Sequence, residues 1–202
     1  TSMFINLSGV DTSRFNIVSE TKKRHIRQLL KIPADKVMVL HVGHLKEDRN
    51  LALFRLISDK FYKVVIVSKT TLQSAPLEKE LRLSGCKIIN NYIENIEDYY
   101  KASDIYLFPT INEKAAIQIP LSIIEAFTCG NFILSTKFGG LSQVFPHRDT
   151  PGFLYFNEKN LISKLSAART SILSNRRIKR ETNDFDWSNI CNKVYSCYRI
   201  IS

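Results

Sequence analysis

Two stretches of the sequence carry residues whose types and spacing suit them to hold an anion. The first is Gly43-His44-Leu-Lys-Glu-Asp-Arg49-Asn50. Its glycine permits a tight turn, its histidine titrates near neutrality, and Arg49 is a permanent cation whose planar donor fork clamps phosphate oxygens in pairs. The second runs from Asn112-Glu113 to Ile119-Pro120-Leu121-Ser122-Ile123-Ile124-Glu125-Ala126. Pro120 suits the start of a helix, and the free N–H groups at Leu121 and Ser122 would point at an anion with the helix dipole behind them, a fit for a diphosphate. Glu125 falls about a turn and a half into that helix, between Ile123, Ile124, Ala126 and Phe127. A carboxylate enclosed this way needs donors, because burial without them is costly. Sugar hydroxyls would serve, and so would a neighbouring Lys, Arg or backbone N–H. For Arg49, a plain surface cation is the alternative.

The elements that must position these groups alternate between strand and helix. Residues 36–42 form an apolar, β-rich run ending in Gly43, and residues 50–58 show helical spacing at Leu53, Leu56 and Ile57. Further strands are expected at 63–67, 86–89, 104–108 and 131–135, with helices starting near Pro76 and over 96–103 and 120–128. Gly139-Gly140 marks a turn. Residues 161–173 and 187–198 read as two closing helices joined by a basic, polar stretch at 175–184. Strands that are apolar throughout must be covered on both faces, and the helices between them can do this. The expected fold is therefore α/β: a doubly wound, Rossmann-like parallel sheet. Such sheets bind ligands beyond the carboxyl ends of their strands, which directs attention to residues 43–50, 68–71, 92–95, 109–120 and 137–141. Residues 1–20 read as a linker, and residues 21–202 as the folded domain.

The chain's 202 residues are 44% hydrophobic and 24% charged, which excludes a mostly disordered or collagen-like chain. No apolar run approaches the roughly 20 residues of a membrane-spanning helix. The chain opens Thr-Ser-Met without the pattern of a cleavable signal, so a cytoplasmic location is expected. Cys86, Cys129, Cys191 and Cys197 lack zinc-ligand spacing and read as four reduced thiols, and no metal site is expected. The formal net charge is +10, with basic clusters at Lys22-Lys23-Arg24 with Arg27, and at Arg176-Arg177-Ile178-Lys179-Arg180. Both clusters read as solvated faces, and no accompanying pattern supports nucleic-acid recognition. His41 reads as a core histidine and Asp104 as an organiser of its loop. His25 and His147 lack partners at ligand spacing, and Trp187, Tyr195 and Tyr198 read as core.

The order of these residues resembles the donor-binding half of the retaining glycosyltransferases of family four, which have the two-domain GT-B fold. Ser8-Gly9-Val10-Asp11 followed by Phe15 is similar to that family's "NGVD…F", and Val42-Gly43-His44-Leu45…Arg49-Asn50 to its "VGRL…KN" loop. Tyr100-Lys-Ala-Ser-Asp104-Ile-Tyr-Leu-Phe-Pro109 resembles "Y..AD.fvlPS". Glu125-Ala-Phe-Thr-Cys-Gly130-Asn-Phe-Ile-Leu-Ser-Thr136 resembles "EAMACGlPVvat", Phe138-Gly-Gly-Leu-Ser-Gln143 resembles "vGGlpE", and Phe185-Asp-Trp187 resembles "FsW".

The resemblance implies that Gly43, His44 and Arg49 face the diphosphate of a UDP- or GDP-hexose donor, with the amides around Pro120, Leu121 and Ser122 approaching it as well. It also implies that Glu125 holds the donor ribose and that backbone at Tyr92 and Ile93 lies near the base. No metal or other cofactor is implied, because cationic side chains and helix amides neutralise the leaving diphosphate. The acceptor, a sugar or lipid-linked sugar, would bind mainly to an N-terminal domain outside this chain. The chain alone would then bind donor weakly without turnover, and its basic clusters could contact an anionic membrane. Three departures stand out. His44 occupies a position usually held by Arg. Ile117, not a glutamate, lies eight residues before Glu125, so either Glu113 takes the catalytic role or that glutamate is lost. The glycine-rich stretch between the glutamates is replaced by Ile-Gln-Ile-Pro, and residues 68–71 lack the usual "GdGp". A binding module with the same fold but no catalysis is the alternative, and a related sugar epimerase is a third.

Overall fold

A computed structural model of the chain describes residues 8–68, 72–146, 150–174, 180 and 182–201. Six strands form one parallel sheet: β1 (Val37–Gly43), β2 (Phe61–Val67), β3 (Lys87–Ile89), β4 (Ile105–Phe108), β5 (Phe132–Ser135) and β6 (Phe153–Tyr155). Their spatial order is β3-β2-β1-β4-β5-β6. The order reverses between β1 and β4, so a crevice opens where the chain leaves these two strands in opposite directions, the place where such sheets take ligands.

Strand alternation divides the core in two. Met38, Leu40, Val64, Ile66, Tyr106, Phe108 and Ile133 face one side, under α1 (Glu20–Leu29), α3 (Ile96–Ala102) and α4 (Leu121–Thr128). Val37, Val39, Val65, Val67, Ile105, Leu107 and Leu134 face the other, under α2 (Ala75–Leu83) and α6 (Leu161–Leu173). A short α5 (Leu141–Val144) follows the Gly139-Gly140 turn, and α7 (Trp187–Ile201) ends the described chain. This is the expected doubly wound, Rossmann-like α/β arrangement.

Three local expectations are corrected. Residues 50–58 do not form an α-helix. Asn50 adopts a left-handed φ of 56°, which interrupts the backbone, and two 3-10 segments, Glu47–Arg49 and Leu51–Leu56, flank it. The strand β6 was not expected. It has three residues, too few for a period to show, and its extended form follows from pairing with β5 and from Phe153 stacking on Phe145 with ring centroids 4.5 Å apart. Trp187, Tyr195 and Tyr198 are not core: they are 47%, 59% and 71% exposed, because α7 turns Ile190 inward instead.

The lead-in residues pack on the body. Val10 N–H donates to the Phe185 carbonyl at 2.9 Å, and Phe15 sits edge-on to Tyr100 with centroids 5.7 Å apart. Asp104 orders its surroundings as expected. It accepts from Lys23 Nζ at 2.6 Å, from an Arg27 terminal nitrogen at 2.5 Å and from the Met38 N–H at 2.7 Å. Lys23 and Arg27 are thus anchors between α1 and the sheet, not members of a solvated face. Arg180 is likewise internal. It donates to the Asn131 carbonyl at 2.5 Å, lies 4.8 Å from the centre of the Phe127 ring, and is lowered by burial to a pKa of about 10. Residues 176–179, 147 and 69–71, also singled out above, lie outside the described residues.

Candidate functional site at the carboxyl edge of the sheet

β1 delivers Gly43 to the crevice. A Cβ there would lie 3.0 Å from His41 Nε2, a tight approach to the buried imidazole, and 3.9 Å from an Arg49 terminal nitrogen, an ordinary contact. A terminal nitrogen of Arg49 donates to His44 Nδ1 across 3.3 Å. Arginine has only donors, so this contact fixes Nδ1 of His44 as the acceptor. Burial lowers the pKa of His44, and the Arg49 and Lys46 charges lower it further; burial also lowers that of Arg49. Arg49 Nε is buried without a partner among the described residues. His41 is fully buried, as expected of a core histidine. Its Nδ1 lies 2.9 Å from the Leu107 carbonyl, and burial lowers its pKa to about 4.

The next strand over, β4, contributes Tyr106, which connects the two sequence stretches. Its hydroxyl donates to the Val42 carbonyl at 3.1 Å and hydrogen-bonds the Ser122 side chain, while Arg49 and Glu125 both act on it electrostatically. Arg49, with His44 on its guanidinium and Gly43 beside it, is therefore brought within reach of the same buried phenol as Ser122 and Glu125. Glu125, partly buried on α4, accepts from the Tyr100 hydroxyl at 2.6 Å. Burial pushes its carboxyl above the ordinary carboxylate range, opposed by the Tyr100 hydrogen bond and the Arg14 charge. Arg14 itself pairs with Glu97 at 2.9 Å beside this group.

Other expected residues lie around this cluster. Pro120 is buried and caps α4 with an extended φ/ψ of −64° and 124°, so Leu121 and Ser122 carry the first N–H groups of the helix. Ile93 packs partly buried against the core, whereas Tyr92 is 86% exposed and within electrostatic reach of Arg14. Glu113 stands apart. It is exposed on the 3-10 turn Glu113–Ala115, with no hydrogen bond or ion pair to a described residue. Ile117 is 62% exposed. The Ile117–Pro120 loop is pinned at Gln118, whose carbonyl accepts from the Gly140 N–H at 3.1 Å.

Tyr100, Tyr106 and Arg14 were not singled out from the sequence as site residues. The available signal, for Tyr106, was a tyrosine inside the otherwise apolar run 105–108, since a buried phenol needs a hydrogen-bond partner.

The sequence signature described as Glycosyl transferases group 1 matches residues 36–175. The chain belongs to that family. Among curated relatives of this chain, Sulfoquinovosyl transferase SQD2 of Arabidopsis thaliana is 22% identical over 200 residues, covering 92% of this chain and 38% of the relative. The putative teichuronic acid biosynthesis glycosyltransferase TuaC of Bacillus subtilis (strain 168) is 28% identical over 140 residues, covering 68% of this chain and 34% of the relative. The chain thus spans little more than a third of the length of these relatives. A solved glycosyltransferase from Rickettsia africae ESF-5 superposes with a TM-score of 0.73 at 17% identity, covering 96% of this chain and 56% of that one. Anabaena Alr3699/HepE in complex with UDP gives 0.72 at 15% identity, covering 95% and 56%. At these identities the structural likeness establishes the fold alone, and it aligns this chain with about half of each neighbour.

Proposed function

We propose that this chain is the nucleotide-sugar-binding half of a retaining glycosyltransferase of family four, using a UDP- or GDP-hexose and no metal. The observation that carries the proposal is the convergence of Arg49, His44, the first turn of α4 and Glu125 around Tyr106 at the sheet's switch point. In this reading Arg49 and the Leu121 and Ser122 amides take the diphosphate, where negative charge grows as the sugar leaves, and Gly43 lets the backbone approach it closely. Glu125 accepts from ribose hydroxyls, and the Tyr92–Ile93 backbone flanks the base. The structural neighbour Anabaena Alr3699/HepE, solved in complex with UDP and with UDP-glucose, supports the donor class.

Glu113 would act beside the donor sugar, and the acceptor, a sugar or lipid-linked sugar, would sit on an N-terminal domain. A cytoplasmic location with peripheral contact at an anionic membrane goes with that acceptor. On α1, Lys22 and Arg24 remain exposed for such contact, since Lys23 and Arg27 bond Asp104. No described helix is long and apolar enough to cross a membrane. Liposome sedimentation tests the contact: stronger binding to anionic than to neutral vesicles is expected, and equal binding removes it.

The second reading, a binding module without catalysis, is favoured by two features: Ile117 eight residues before Glu125, and Glu113 lying free of the cluster. Calorimetry of the chain with UDP, GDP and their hexose conjugates separates the readings. Binding to one nucleotide series is expected, and binding to none supports the module.

A further inference from the structure

We propose that Tyr100 is the positioning residue of this site: its hydroxyl holds Oε2 of Glu125, so that Oε1 is presented to the ribose hydroxyls of the bound nucleotide. The proposal rests on the reading of Glu125 as the ribose-binding residue.

Tyr100 is unusually well fixed. It is fully buried, its ring is held edge-on by Phe15 at 5.7 Å and tilted against Tyr106 at 5.9 Å. Its carbonyl accepts from Ser103 Oγ at 3.0 Å and from Asn131 Nδ2 at 2.8 Å, which ties down the last turn of α3. A phenol held this way places its O–H with little freedom, and its hydrogen bond to Glu125 is short, at 2.6 Å. Donation to an ionised carboxylate is the stronger kind of hydrogen bond and selects one carboxylate orientation.

The groups facing Glu125 come from each element packed around it. Arg14 acts from the lead-in segment, Tyr100 from α3, Tyr106 from β4 and Cys129 from the end of α4. Arg14 is engaged with both oxygens of Glu97, at 3.3 and 2.9 Å, so its charge reaches Glu125 from a distance. Among described residues, only Tyr100 hydrogen-bonds the Glu125 carboxylate, and it does so at Oε2. No hydrogen bond from a described residue reaches Oε1, and the Glu125 side chain is only partly buried. The tyrosine therefore does two things for the carboxylate: it fixes the direction of the free oxygen and it opposes the protonation that burial favours.

The test is calorimetric titration of this chain and of Tyr100→Phe with UDP, GDP and their 2′,3′-dideoxy counterparts, between about pH 5 and 8. Tyr100→Phe is expected to weaken the ribonucleotide about tenfold, as for loss of one hydrogen bond to a charged group. It should leave the dideoxynucleotide unchanged and move the acidic loss of affinity to higher pH. Equal losses for both nucleotides, or no loss, overturn the positioning role. If the unsubstituted chain binds neither UDP nor GDP, the donor-site reading itself fails. If it binds ribo- and dideoxynucleotide equally, the role of Glu125 fails. Should Tyr100→Phe not fold, NMR of the unsubstituted chain decides. The Tyr100 hydroxyl proton should move upfield as Glu125 protonates, and a resonance indifferent to that titration overturns the proposal.

Discussion

Arg49 donates to Nδ1 of His44 across 3.3 Å, at the point where β1 ends. Burial first, then the Arg49 and Lys46 charges, holds the His44 pKa below its ordinary value, so near neutral pH Arg49 is the permanent cation of the pair and the imidazole is its neutral partner. His44→Arg adds a second permanent charge. UDP or GDP binding at about pH 7.5 should tighten roughly tenfold, equivalent to about 1.4 kcal/mol. The gain should shrink as pH falls through the lowered His44 pKa and the wild-type imidazole becomes charged. Calorimetry across pH measures this, and unchanged affinity counts against placing the diphosphate here.

Gly139 adopts a φ of +47°, and a Cβ on it would lie 2.5 Å from the Gln118 carbonyl oxygen. Gly139→Ala therefore combines a backbone conformation unfavourable to L-residues with a clash against main chain. A loss of about 1–3 kcal/mol in unfolding free energy is expected, together with displacement of the Ile117–Pro120 loop that leads into α4. Denaturant unfolding reads the first effect and nucleotide affinity the second.

The strands read most clearly from sequence were β1 and β2, since a sheet covered on both faces makes Val37, Val39 and Val65 as apolar as Met38, Leu40 and Val64. The failures came where tertiary context decides. Helical spacing at Leu53, Leu56 and Ile57 was real as a pattern of apolar residues, but the left-handed Asn50 leaves a 3-10 path that buries Leu51 and Phe54 along with Leu53 and Ile57 and leaves Leu56 exposed. An aromatic stripe on α7 cannot report whether anything covers it, and here it stays exposed. Gly43, Arg49 and Glu125 were singled out by residue type and motif order. Tyr100 and Tyr106 were not, because their hydroxyls meet Glu125 and Val42 only once α3 and β4 are laid beside α4 and β1.

His41 links the core to acid stability. Its pKa falls from an ordinary 6.5 in the unfolded chain to about 4 when buried. The unfolded state therefore takes up the proton first on acidification, and stability is lost as pH drops from about 6.5 toward 4. The full loss is about 3 kcal/mol, from 1.36 kcal/mol per pKa unit. His41→Phe should flatten the stability–pH curve across that window, measured by urea unfolding at stepped pH.

Glu113 provides the clearest division between catalysis and binding. Under the proposed function, Glu113→Gln in the full-length protein should lower sugar transfer at least about a hundredfold, the scale of a positioned acid–base or charge-stabilising group. Nucleotide affinity should stay the same, because Glu113 lies outside the Tyr106 cluster. Unaltered transfer would remove Glu113 from the chemistry.

The most direct measurement is a crystal structure of the chain soaked with UDP-hexose or GDP-hexose. The account predicts the diphosphate against Arg49, His44 and the Leu121 and Ser122 amides, with a ribose hydroxyl on Oε1 of Glu125 while Tyr100 keeps Oε2. A nucleotide seated elsewhere, or a ribose that leaves Glu125 untouched, would contradict it.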